Sequence, residues 1–158
     1  MSALALKAEE PSARELRNCT CSQLRRAGRQ VTQLYDRALE PAGLTIGQFG
    51  LLAYLSTADV ENPAGIAIGA LADARGMDPT TLTRNLKPLV AQGWVVDARD
   101  PNDRRVRTLA ISASGFEKYR AASPLWQHAE AQLETLLGEE TLAALRALLS
   151  MSIAKIST

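Results

Sequence analysis

Residues 77–111, MDPTTLTRNLKPLVAQGWVVDARDPNDRRVRTLAI, carry the tightest local constraint in the chain. They spell a helix with a marked start and stop, joined without slack to a hairpin. Asp78 is an N-cap, because its carboxylate can accept the free N–H groups of a first helical turn. Pro79 follows at the first helical position, where no N–H is needed. Leu82, Leu86, Leu89 and Val90 recur at helical spacing and form a buried stripe. Thr80, Thr83, Arg84 and Lys87 fall on the other side. Pro88 removes the bond to the Arg84 carbonyl and is expected to bend or end the helix near there; Gly93 stops it. Trp94, Val95 and Val96 begin a strand. Asp100-Pro101-Asn102-Asp103 is turn chemistry, and residues 106–111 return as a second strand.

A helix that turns Thr, Arg and Lys outward, followed by an arginine-tipped hairpin, has the layout of a winged helix. The helix suits the DNA major groove, and an arginine can enter the narrow minor groove. The competing account is a solvated charged face, the usual fate of surface Arg and Lys. The charge distribution favours the first. The whole chain is only +1. Residues 75–111 hold seven basic side chains against four acidic, a balance of +3, and each flank is −1. Attraction for phosphates is therefore concentrated in this stretch.

The remainder reads mostly as helix. Residues 12–39 form one long helix, opened by a capping box of Ser12 and Glu15. Leu24, Ala27, Val31, Leu34 and Ala38 make a narrow seam on it, able to pack internally or against a second chain. Arg25, Arg26, Arg29 and Arg37 line its outer face, and Pro41 and Gly43 end it. A second helix covers 45–55, with a capping box of Thr45 and Gln48. Residues 56–67 read as a loop in which Ile66 begins a short strand. Residues 68–75, closed by Gly76, pair with the Asp78 helix in a helix-turn-helix layout. Ser114 and Glu117 make a third capping box for a helix over 114–137, kinked at Pro124 and broken by Gly138. The last helix covers 141–153. The expected fold is α+β, mostly α, with about six helices and a small antiparallel β-hairpin. Residues 45–113 form the winged helix-turn-helix, and 12–44 and 114–156 are dimerisation helices.

LADARGMDPTTLTRNLKPLVAQGWV, RDPNDRRVRTLAIS and Gly115 together resemble the MarR family of bacterial transcriptional regulators. The Asp-x-Arg of the wing (Asp103, Arg105) after Asp-Pro, and the Leu-Thr-Arg of the helix, carry the resemblance, which covers 45–115 and extends to the flanking helices in layout. It implies a homodimer on a near-palindromic operator in double-stranded DNA, with helix 78–92 in the major groove and wing 100–105 in the minor groove. Thr80, Thr81, Thr83, Arg84 and Lys87 would be the helix contacts. Arg105 would be the minor-groove arginine, Asp103 its orienter and Arg104 a further contact. The family responds to phenolic or aromatic ligands, acyl-CoA thioesters or oxidants.

Cys21 followed by Tyr35 resembles the branch that senses organic hydroperoxides, in which the cysteine is oxidised and the tyrosine hydrogen-bonds to it. Cys19 lies beside the same face. That branch carries a second tyrosine where this chain has Ile46. The alternative for both cysteines is a buried small hydrophobe. Phe49, Tyr54, Trp126 and His128 are candidates for an aromatic ligand pocket, set against ordinary packing. His128 is the sole histidine, so no metal site, cofactor or catalytic triad is expected, and no enzyme. No apolar run is long enough for a membrane span, and cytoplasmic placement is the default. The expected function is a homodimeric DNA-binding regulator, a repressor by the commoner family behaviour, released by a small aromatic or phenolic ligand or an oxidant. The alternative is a winged-helix protein-interaction module without specific DNA binding.

Overall fold

The computed structural model describes residues 12–61, 65–100, 103 and 105–156. The chain divides into two compact units, one up to Gln33 and one from Leu34 onward.

The first unit holds α1 (Ala13–Arg17) and the larger part of α2 (Thr20–Leu39). Ser12 caps α1 in a complete capping box: its N–H donates to Glu15 Oε2 at 2.8 Å, and its Oγ accepts from the Glu15 N–H at 3.3 Å. The single helix expected over 12–39 is interrupted. Asn18 closes α1, and α2 restarts at Thr20. Asn-Cys-Thr strings together three residues with weak helix preference, and no buried contact on this stretch overrides it, since residues 14–30 are all exposed.

The second unit is built round α3 (Ile46–Glu61), whose Leu51, Leu52 and Leu55 are fully buried. The Thr45–Gln48 capping box is present. The helix runs past residue 55, into the stretch expected to be a loop. Ser56 and Thr57 turn their hydroxyls back onto the Ala53 and Tyr54 carbonyls and stay within it. The strands β1 (Ile66–Ala67), β2 (Val95–Arg99) and β3 (Arg107–Ile111) form an antiparallel sheet in the order β1-β3-β2. Ile66 pairs with Leu109, Val95 with Ile111 and Arg99 with Arg107. Leu109 on the central strand is fully buried. The short strand expected from Ile66 thus pairs with the expected hairpin as a third strand.

Between β1 and β2 lie α4 (Ile68–Arg75) and α5 (Pro79–Ala91). Gly76, at φ 56°, takes the left-handed conformation that ends α4. Asp78 caps α5, and Leu82, Leu86 and Leu89 are buried beneath it. Pro88 does not end α5, which continues to Ala91. One lost backbone bond is offset by burial of Leu86 and Leu89 on either side, and the Pro88 carbonyl still accepts from the Gln92 N–H at 3.0 Å.

The chain closes with α6 (Ala113–Leu137) and α7 (Glu139–Ile156), so the described residues hold seven α-helices rather than about six. Pro124 lies inside α6 without ending it. The cap of α6 is Ser112, not Ser114: its Oγ accepts from the Gly115 N–H at 3.0 Å. Ser114 instead turns its hydroxyl toward the Gly93 carbonyl, and Glu117 pairs with Arg120. The shift follows from the close fit of α6 on the hairpin. A β-carbon at Gly115 would stand 2.0 Å from the Trp94 carbonyl oxygen, so only glycine fits. No helix among the described residues is long and apolar enough to cross a membrane.

Two outcomes are expected. Gly115→Ala must push α6 off the Trp94 backbone, an overpacking cost of about 3 kcal/mol, read from urea unfolding. The second concerns Asp78, whose carboxyl is held below the usual aspartate range chiefly by the Thr81 hydroxyl and then by the Thr81 N–H. A depressed folded value means that its contribution is complete above the unfolded aspartate range (about pH 4) and is lost as pH falls through the folded value. Wild type should therefore melt above Asp78→Asn at pH 6, and the gap should shrink toward pH 3 in circular-dichroism melts.

Candidate nucleic-acid interface

The outer face of α5 is set by its cap. Asp78 Oδ1 accepts from the N–H groups of Thr80 (3.0 Å) and Thr81 (2.9 Å), and Oδ2 accepts from the Thr81 hydroxyl at 2.6 Å. Thr81 is half-buried, so its hydroxyl serves the cap rather than the outer face. Thr80, Thr83, Arg84 and Lys87 are exposed together along the helix. The Thr83 hydroxyl donates to the Pro79 carbonyl at 2.8 Å.

Asn85 is not singled out by its sequence context, yet it lies where α5 passes over Gly47 of α3. Its amide donates to the Thr81 carbonyl at 2.9 Å. A β-carbon at Gly47 would come within 2.8 Å of its Oδ1. The small residue on α3 is what admits a polar side chain at that crossing. An i, i+4 pair of Thr81 and Asn85 is the one local signal, but its partner Gly47 is far away in the chain.

The hairpin carries a second residue that spacing alone does not reveal. Arg107 on β3 grips Asp97 on β2 with two nitrogens, its Nε 3.2 Å from Oδ1 and its Nη2 on Oδ2. The Arg107 guanidinium holds the Asp97 carboxyl below the usual carboxylate range, and Asp97 in turn raises Arg107. A groove between α5 and the hairpin has Leu86 and Val90 at its base, with Thr83, Lys87, Asp97 and Arg107 at its edge. Arg107 therefore lines the groove that Lys87 also lines, with its charge balanced by Asp97.

At the wing tip the backbone is tied locally. The Asp100 N–H donates to the Val106 carbonyl (3.0 Å) and the Val106 N–H to the Asp103 carbonyl (2.9 Å). The Asp103 N–H donates to Asp100 Oδ1 at 3.1 Å, and Asp103 Oδ1 accepts from the Arg105 N–H at 3.0 Å. Asp103 thus holds Arg105 by its backbone, and the Arg105 side chain is exposed. Arg104 lies outside the described residues, as do Pro101 and Asn102 of the expected turn.

The remaining candidates are scattered. Cys19 and Cys21, in the first unit, are exposed free thiols, which removes the reading of them as buried hydrophobes within this chain. Tyr35, in the second unit, is buried, and its hydroxyl donates to Glu130 Oε1 at 2.6 Å. Burial first, and then the bond to Glu130, raise its pKa well above the usual tyrosine value. Glu130 also pairs with Arg146 of α7. Phe49 is buried and stacks on Trp126, with ring centroids 6.0 Å apart. Tyr54 packs against the same core, while His128 is exposed. Of the four aromatic-pocket candidates, the structure joins Phe49 and Trp126. Trp126 also lines an open groove with Glu130, Glu134 and Arg146.

The MarR family model matches residues 42–106. The transcriptional regulator MosR of M. tuberculosis, solved in complex with DNA, is 33% identical; the alignment covers 88% of this chain and 97% of that one, with a TM-score of 0.73. The transcriptional repressor CouR (Rhodococcus jostii RHA1), solved on a 23-mer DNA duplex, is 26% identical, with 90% and 97% covered and a TM-score of 0.74. An E. coli MarR mutant complexed with operator DNA shares the fold at 24% identity, with 90% and 99% covered and a TM-score of 0.76. No curated protein sequence matches the chain. These matches cover 88–90% of the chain, and the chain belongs to the MarR family of winged-helix transcriptional regulators.

Proposed function

We propose that this chain is a homodimeric DNA-binding repressor that reads a near-palindromic operator and is released by a small aromatic ligand or an oxidant. The observation that carries the DNA reading is the shared exposure of Thr80, Thr83, Arg84 and Lys87 on a capped helix beside an exposed Arg105. In this reading α5 enters the major groove, where Arg84 can meet a guanine edge, and Arg105 enters the minor groove. MosR and CouR, both solved on DNA, support it.

Pairing of two copies is supported by the apolar side chains that α7 leaves in water. Leu148 is 57% exposed, Ile153 65% and Ile156 81%. A helix that bare gains from burial against a second chain. A two-fold pair then places two α5 helices on two half-sites.

Two release signals follow from the exposed thiols and from Trp126. A peroxide would oxidise the Cys21 thiol to a sulfenic acid and would itself be reduced to the alcohol or water. An aromatic ligand would lie on Trp126 in the groove that Glu130, Glu134 and Arg146 also line; CouR, solved with p-coumaroyl-CoA, is a precedent on this fold.

Gel shifts on the gene's own upstream region test the DNA reading. Specific binding should weaken steeply with salt. Arg84→Ala should cost about 1–3 kcal/mol of discrimination, and Arg105→Ala should also weaken binding. Binding to no promoter fragment, with both variants equal to wild type, would favour the protein-interaction alternative. For the oxidant, peroxide should weaken binding by wild type and spare Cys21→Ser; equal loss in both sinks the redox signal.

A further inference from the structure

Gly93 and Trp94 end one element and serve two others. Their N–H groups close the C-terminus of α5: Gly93 donates to the Val90 carbonyl and Trp94 to the Leu89 carbonyl, each at 2.9 Å. Gly93 sits at φ 70°, which turns the chain out of the helix. Their carbonyls face the start of α6. The Gly93 carbonyl accepts from Ser112 Oγ at 2.6 Å and from Ser114 Oγ at 3.3 Å. The Trp94 carbonyl accepts from the Ser112 N–H at 3.0 Å. Ser112 Oγ also accepts from the Gly115 N–H and so caps α6. One turn on, Lys118 Nζ lies 4.7 Å from the centroid of the Trp94 ring. The next residue, Val95, opens β2, which leads to the wing.

We propose that Ser112 and Ser114 are positioning residues for operator recognition. They act through the Gly93 carbonyl, and Ser112 also through that of Trp94, to hold α5 and the wing at one mutual angle. The proposal rests on the DNA reading above and adds how that reading is kept specific. Neither serine needs to touch DNA. Two elements that must enter two grooves at once lose the second contact if the joint between them loosens. Contacts to base edges demand that registration, whereas phosphate contacts carry no sequence information and tolerate its loss. Loosening the joint should therefore cost specificity and spare electrostatic binding.

The test uses full-length Ser112→Ala, Ser112→Thr and Ser114→Ala proteins. Affinity is measured on a duplex carrying the gene's own upstream region and on a random duplex of equal length, at two salt concentrations, beside thermal melts. Ser112→Ala should bind the upstream duplex about tenfold more weakly, the order of one or two lost hydrogen bonds. Its random-duplex affinity and salt dependence should match wild type. Ser112→Thr, which keeps the hydroxyl, should restore the preference. Ser114→Ala keeps the α6 cap and should show a smaller loss of the same kind, which carries the test if Ser112→Ala does not fold. Wild-type preference in both alanine variants would overturn the proposal. So would parallel loss on both duplexes, which marks loss of folded protein rather than of geometry. If wild type itself shows no preference for its upstream region, the DNA reading has failed, and the positioning role falls with it.

Discussion

The approach of α6 to the Trp94 carbonyl is the contact on which the winged-helix half depends. A glycine at 115 is the condition for it, since any β-carbon there would collide with backbone rather than with a flexible side chain. Once α6 lies that close, Ser112 can reach both the Gly93 and Trp94 carbonyls, and the end of α5 is tied to the start of α6. β2 begins at the same place, and its pairing with β3 carries the hairpin outward. Helix, hairpin and long helix therefore share a joint made of backbone groups. The N–H and carbonyl groups of Gly93 and Trp94 are all hydrogen-bonded within this joint, which ties the three elements together through several short bonds at once.

Polar groups elsewhere in this half are used with similar economy. Asp78 takes two backbone N–H groups and a hydroxyl, which frees the outer face of α5 from capping duty. Asn85 is satisfied within its own helix and fits over Gly47. Arg107 is balanced by Asp97, while Arg84, Lys87 and Arg105 are exposed. The cations offered to a ligand thus lie on surfaces whose supporting groups are already paired. This is the arrangement a preorganised recognition surface requires.

The other end of α6 has a different character. Tyr35, Glu130 and Arg146 form a hydrogen-bonded chain through α2, α6 and α7, next to Trp126. Tyr35 is committed to Glu130 within its own chain. The same α6 carries this network in its second half and the Ser112 joint at its start, with Pro124 between them.

Local grammar makes α5 and the hairpin legible in the amino-acid sequence. Asp78-Pro79 starts the helix, Gly93 stops it, leucines recur on one face, and Asp-Pro-Asn-Asp marks the turn; each signal acts within four or five residues. The same grammar misplaces the α6 cap, because Ser114 and Glu117 satisfy the capping pattern as well as Ser112 does. Only the packing of Gly115 on Trp94 chooses between them. It overestimates Pro88, whose local cost is outweighed by leucines buried on both sides, and it joins α1 to α2, where no buried contact supports continuity. Arg107 and Asn85 escape it because their partners, Asp97 and Gly47, are remote in sequence. Most of the elements, the charged stretch and the family resemblance follow from the chain's own order of residues, since these depend on neighbours a few positions away. Which polar groups are spent and which stay free is settled only by the fold, because that depends on groups brought together from distant parts of the chain.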